Sequence, residues 1–192
     1  MRPGISLFCT VILLVACSPG SEPSVEEPSP SAESAHLTGP YLGQMPPGNE
    51  PRLFAPGIVS TGRAERDFAM TPDGSEIYFT SVLGAGFNFS AIIRVRQVDG
   101  RWGEPEIPEF SGRYKDLEPT ISPDGGKFFF VSTRPMPGST DILENEDIWV
   151  MSRQGESWSE PQNLGSPINT EAAEFFPSVA RTGSVYFTRR SE

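Results

Sequence analysis

Thr71-Pro72-Asp73-Gly74-Ser75-Glu76-Ile77-Tyr78-Phe79-Thr80 joins two kinds of chemistry in ten residues. Its first part is a turn: proline presets φ, aspartate bonds its own backbone, and glycine accepts a positive φ. Its second part is an aromatic and β-branched run suited to a strand buried on both faces. The same order returns fifty-one residues later, as Ser122-Pro123-Asp124-Gly125 followed by Gly126-Lys127-Phe128-Phe129-Phe130-Val131. A decayed copy lies a further fifty-eight residues on, Ala180-Arg181-Thr182-Gly183 and then Ser184-Val185-Tyr186-Phe187-Thr188. Between the copies a second element repeats. Ile92 to Trp102 runs into Trp102-Gly103-Glu104-Pro105, and Ile148 to Trp158 runs into Trp158-Ser159-Glu160-Pro161.

Such a period signals a repeat architecture. Asp99-Gly100 and Gln154-Gly155 have hairpin-turn chemistry and lead into the tryptophan strands. No stretch sustains a 3.6-residue period with caps, so no long helix is expected. Each unit then has three to four antiparallel strands, which cannot bury both faces alone and must stack on its neighbours.

These repeats resemble the WD40-like, TolB-type β-propeller family, whose blades carry an S-P-D-G core followed by an aromatic strand. Asn163 to Thr170, ahead of Glu174-Phe175-Phe176-Pro177, is similar to that family's blade junction. The resemblance covers roughly residues 53–192 and implies an all-β array of four-stranded blades around a central channel. It leaves function open, because the family includes envelope proteins and the gating domains of peptidases. Residues 51–192 hold about two and a half blades, an incomplete ring. The sequence stops at Glu192 after the inner strands of the third unit. The expectation is a truncated product, or else a body that self-associates to cover its sheet edges.

Seven positions before Pro72, Pro123 and Arg181 stand Glu65, Asp116 and Glu174. Three carboxylates just ahead of the innermost strands are candidates for a ring at one mouth of the channel. Such a ring would suit Ca²⁺, a cationic peptide or an amino sugar. The competing reading has them satisfying loop and strand-end groups. Five positions before the same residues stand Asp67, Glu118 and Phe176, where the aromatic breaks a second ring. Asp73 and Asp124 occupy equivalent turns in successive units, so they read as structural rather than as a facing catalytic pair. Glu144-Asn145-Glu146-Asp147 reads as a solvated acidic run, with cation ligation as the alternative. Phe128, Phe129, Phe130, Trp149 and Trp158 are expected to pack blade against blade.

The N-terminus reads as an address. Arg2 precedes an apolar stretch from Ile5 to Val15, too short for the roughly 20 residues of a permanent span and suited to a secretory h-region. Leu14-Val15-Ala16-Cys17 resembles the bacterial lipobox. That resemblance implies a signal peptide over 1–16, cleavage between Ala16 and Cys17, and a lipidated Cys17 that tethers the protein to a membrane. Ser18 then implies the outer membrane. Residues 17–50 are the lipidated cysteine and its linker: from Ser18 to Glu50 there are seven prolines, six serines, five glutamates and no Lys or Arg. That composition predicts a disordered spacer.

The remaining arithmetic narrows the function. The 192 residues carry a formal charge of −10, which argues against a nucleic-acid partner. His36 is the only histidine, and Cys9 and Cys17 are the only cysteines. The body therefore lacks the residues of Ser-His-Asp, Cys-His and His/Cys zinc chemistry. No phosphate-binding glycine loop or basic patch is present. The expected function is a lipid-anchored, non-catalytic platform for an envelope protein or glycan, without a resident cofactor. The alternative is the propeller of a carbohydrate-active enzyme, or of a peptidase whose catalytic part lies beyond residue 192.

Overall fold

The computed structural model describes residues 37–84 and 88–190, all within one compact unit. The signal segment, Ala16, Cys17, His36 and the first part of the expected tether lie outside the described residues. No helix among the described residues is long and apolar enough to cross a membrane.

The body is all-β, as the repeats predicted. The first unit is a four-stranded antiparallel sheet: β1 (Ala64–Met70), β2 (Glu76–Val82), β3 (Ser90–Val98) and β4 (Arg101–Trp102), in that order. The second contains β5 (Asp116–Ile121), β6 (Lys127–Ser132), β7 (Asp147–Gln154) and β8 (Ser157–Trp158). Its outer strand continues past Glu160-Pro161 as β9 (Gln162–Asn163), which also pairs with β7. The first unit has the same break, since Glu106 bridges to Arg94 beyond Glu104-Pro105. The third unit is β10 (Glu174–Val179) with β11 (Val185–Arg189). Together these are two full blades and the inner pair of a third.

The turns form as their residues dictate. Gly74, Gly125 and Gly183 all take positive φ, at 72°, 73° and 84°. In the first two turns the aspartate locks the loop: Asp73 Oδ1 accepts from Ser75 N (3.0 Å), and Asp124 Oδ1 accepts from Gly126 N (3.0 Å). The third turn is one residue shorter, so Val179 pairs with Val185 where Met70 pairs with Ile77. In the hairpin after β3, Asp99 and Gly100 both have positive φ, as a type I′ turn requires.

Side-chain alternation along each inner strand sorts the core into layers. Ile77, Phe79 and Val95 face the N-terminal side of the first blade. Tyr78 and Ile92 face the second blade, meeting Phe128, Phe130, Trp149 and Met151. Phe129, Val131 and Ile148 face the third unit and meet Phe175, Val185 and Phe187. β2 and β6 are thus buried on both faces, and the aromatics pack between blades as expected. Polar contacts reinforce the first junction. Arg153 grips Glu76 through both terminal nitrogens (2.7 and 3.3 Å), and Trp158 Nε1 donates to Tyr78 Oη (2.9 Å).

One boundary differs from expectation. The linker composition runs to Glu50, yet Leu37 and Leu42 already pack against the first blade. Leu42 is buried in a single 3₁₀ turn, Pro40–Gly43, and joins the core of the first blade. Trp102 holds this segment twice, its backbone N donating to Leu37 O (2.8 Å) and its Nε1 to Gly39 O (2.8 Å). Among the described residues no blade precedes the first, and the strap supplies the apolar cover that a neighbour gives elsewhere.

Candidate functional site

The three carboxylates expected at a channel mouth perform a different task. Each reaches back to the loop that feeds its strand. Glu65 accepts from the backbone and hydroxyl of Thr61, Asp116 from Gly112 N and Ser111 Oγ, and Glu174 from Thr170 N and Oγ1. Asp116 and Glu174 are completely buried, and each also pairs with an arginine: Arg134 at 2.7 Å and Arg189 at 2.8 Å. Asp116 further accepts from Ser132 Oγ (2.7 Å). With their oxygens committed inward, Asp116 and Glu174 form no open ring with Glu65. Among the described residues, no three His, Cys, Asp or Glu side chains converge as metal ligands, so the Ca²⁺ reading loses its geometry. The acidic run is likewise spent on structure: Glu146 pairs with Lys115 (2.5 Å), and Asp147 accepts from Asn163 Nδ2 (2.6 Å).

The positions two residues further on build the more open site. Asp67, Glu118 and Phe176 all adopt left-handed backbone, with φ of 57°, 57° and 52°. Each sits in a bulge where the register of its innermost strand shifts. A non-glycine residue in this region costs about 1 kcal/mol or more, and surrounding structure must hold it there. A bulge re-aims the side chain it carries, and that of Glu118 reaches both neighbouring units. Glu118 N donates to Thr80 Oγ1 in the first blade (3.0 Å), and Phe176 N donates to Glu118 Oε2 (2.5 Å). Glu118 Oε1 receives Arg66 NH2 at 3.1 Å. Arg66 in turn lies over the Phe176 ring (5.6 Å) and pairs with Asp67 (2.7 Å).

Glu118 therefore ties three units together from a nearly buried position, 4% exposed. Burial is the main reason its pKa rises to about 7; the Phe176 amide and Arg66 pull it down, and the Asp67 charge pushes it up. Both of its oxygens are engaged, so it holds the junction rather than standing free.

Beside it opens a cleft of about 240 Å³, bordered by Arg66, Lys115, Glu146, Phe175, Phe176 and Arg190. Arg190 rests against the Phe175 ring (5.4 Å) as Arg66 does against Phe176, and Phe176 is half-exposed. The cleft presents cations from three blades, a paired carboxylate and aromatic edges. Counting five residues back from each turn marked the three bulge positions. Their shared backbone conformation carries no sequence signature, because none of the three is glycine.

No family model matches the chain, and no curated protein matches it. Among solved structures, a Mycobacterium tuberculosis puromycin-hydrolyzing peptidase aligns with a TM-score of 0.41 and 17% identity, covering 70% of this chain. The chain spans 21% of the length of that protein.

Proposed function

We propose that this protein is a non-catalytic binding platform, a propeller body of the TolB-like kind that holds an envelope protein or glycan partner. In this reading Cys17 is lipidated, and the segment ahead of Leu37 spaces the body from a bacterial outer membrane. The observation that carries the binding role is the junction cleft. Arg66, Lys115 and Arg190 come to it from three successive units, backed by the Phe175 and Phe176 rings. Arg190 stacks on Phe175 beside Arg66, whose Nε and one terminal nitrogen are held by Asp67 and Glu118; arginine and aromatic side chains are enriched where proteins recognise partners. The body also has no cysteine or histidine to serve as nucleophile or base.

The test uses the full chain as bait on detergent-solubilised envelopes of its own source, beside a Lys115→Glu, Arg190→Glu double variant, with a glycan array in parallel. The expected result is a partner, polypeptide or glycan, retained by the native protein and lost by the variant. Identical capture by both baits would refute the cleft as the binding site. Intact-mass measurement of the membrane-extracted protein tests the anchor: residues 17–192 plus an acylated glycerol is the expected species.

A further inference from the structure

Glu118 borders the junction cleft with its two oxygens held unequally. Oε2 accepts from the Phe176 backbone N–H at 2.5 Å, a donor fixed by β10. Oε1 accepts from Arg66 NH2 at the longer distance of 3.1 Å. That second donor is a side chain, 35% exposed, and its Nε is tied separately to Asp67. Charged groups meet Glu118 from several sides: Arg66 and Asp67 on β1, Lys115 ahead of β5, Glu146 ahead of β7, and Arg190 after β11. β2 and β10 bring Thr80 and the Phe176 amide, which carry no charge. With Glu118 ionised, the cations Arg66, Lys115 and Arg190 are matched by the carboxylates Asp67, Glu118 and Glu146.

A proton on Glu118 changes what this site can hold. Oε2 stays the carbonyl oxygen and keeps the Phe176 N–H, so the proton sits on Oε1. There Arg66 offers only donors, and two donors cannot bond each other. Glu146 is engaged by Lys115 (2.5 Å), and Thr80 Oγ1 by the Glu118 backbone N–H (3.0 Å). Oε1–H and Arg66 NH2 therefore both look for an acceptor in the cleft, and one incoming carboxylate satisfies the two together. An O–H···O⁻ bond of this kind is short and strong. The charges agree: the entering anion replaces the negative charge that the proton removes.

Taking the cleft as the binding site proposed above, we propose that the partner presents a carboxylate to it, bound by Arg66 and by Glu118 together, and that Glu118 takes one proton from solvent as the carboxylate enters. Burial already brings the Glu118 pKa to about 7, against the pull of the Phe176 amide and Arg66, so the proton is within reach near neutral pH. The carboxylate comes from an acidic polypeptide or from a sugar acid, and the two are separable by experiment.

Propionate, trigalacturonate and the peptide acetyl-glycyl-glutamyl-glycinamide are titrated into the full chain at about pH 5.5 and about pH 8.5, with the Phe176 amide followed by NMR. Each should bind roughly thirtyfold more weakly at the higher pH, the ratio of protonated fractions for a group titrating at about 7. Calorimetry in two buffers should find about one proton taken up per carboxylate at the higher pH and almost none at the lower. Glu118→Gln keeps an oxygen for Phe176 N and offers an N–H where the proton would sit, so its affinity should stay at the acid value throughout. The native pH profile and proton count need no variant, and they decide the matter even if Glu118→Gln does not fold. Tighter binding of the peptide or of the sugar acid than of propionate supports the proposal and names the source of the carboxylate. Equal affinity at the two pH values, binding without proton uptake, or no response of the Phe176 amide to any of the three compounds overturns it. An envelope partner still lost to the Lys115→Glu, Arg190→Glu variant would then keep the cleft as the binding site, so the two readings fail separately.

Discussion

Glutamine at position 118 should flatten the pH dependence of stability between about pH 4.5 and 7. Burial raises the Glu118 pKa from 4.5 to about 7 in the folded protein. Within that window the folded chain keeps a proton that the unfolded chain has lost, so stability falls as pH rises. The loss begins near the unfolded value and is complete above about 7. At about 1.4 kcal/mol per pH unit the full span corresponds to roughly 3 kcal/mol, and water at the cleft opening lowers the figure to about 2 kcal/mol. His36 is the only histidine, and it is common to both proteins, so it cancels in their comparison. Asp147 is displaced upward by burial as well, and it leaves the same residual slope in both proteins. Asp73 and Asp124 are held below the usual range, chiefly by the hydroxyls of Thr71 and Ser122, so they act at lower pH. Urea unfolding followed by tryptophan fluorescence at several pH values measures the slope directly. A Glu118→Gln protein whose stability falls with pH as steeply as the native protein's would refute the assignment of this titration to Glu118.

Two further outcomes follow from the same contacts. Asp116→Asn strands the buried Arg134 guanidinium and should cost about 3–5 kcal/mol in urea unfolding, with much of it recovered by adding Arg134→Met. A ligand role without a structural one would leave stability unchanged. Trp102→Phe removes the indole bond to Gly39 O, worth about 1 kcal/mol, and should speed tryptic cleavage at the exposed Arg52 roughly fivefold. Unaltered cleavage would show that the strap is held by other means.

What the chain alone revealed and what folding added divide along a physical line. Local chemistry was legible: the Pro-Asp-Gly turns, the Asp99-Gly100 hairpin and the doubly buried strands Ile77–Thr80 and Phe128–Val131 are all specified within a few residues. Spacing was legible too, because a repeated turn places the residues ahead of it at a countable offset. That count found Glu65, Asp116 and Glu174, and also Asp67, Glu118 and Phe176. It could not say which set would be open, because the answer depends on partners distant in sequence. Arg134 lies 18 residues from Asp116, and the Phe176 amide lies 58 residues from Glu118. The strap was hidden for a similar reason. Leu37–Gln44 has a linker's composition, and only the uncovered face of the first blade gives Leu42 and Gly39 something to pack against. Turns and strand faces are decided by bonds each residue makes with its neighbours in sequence, so they could be read directly. Whether a carboxylate recognises a ligand or locks a loop is decided by what the fold brings against it, and that appeared only once the blades were stacked.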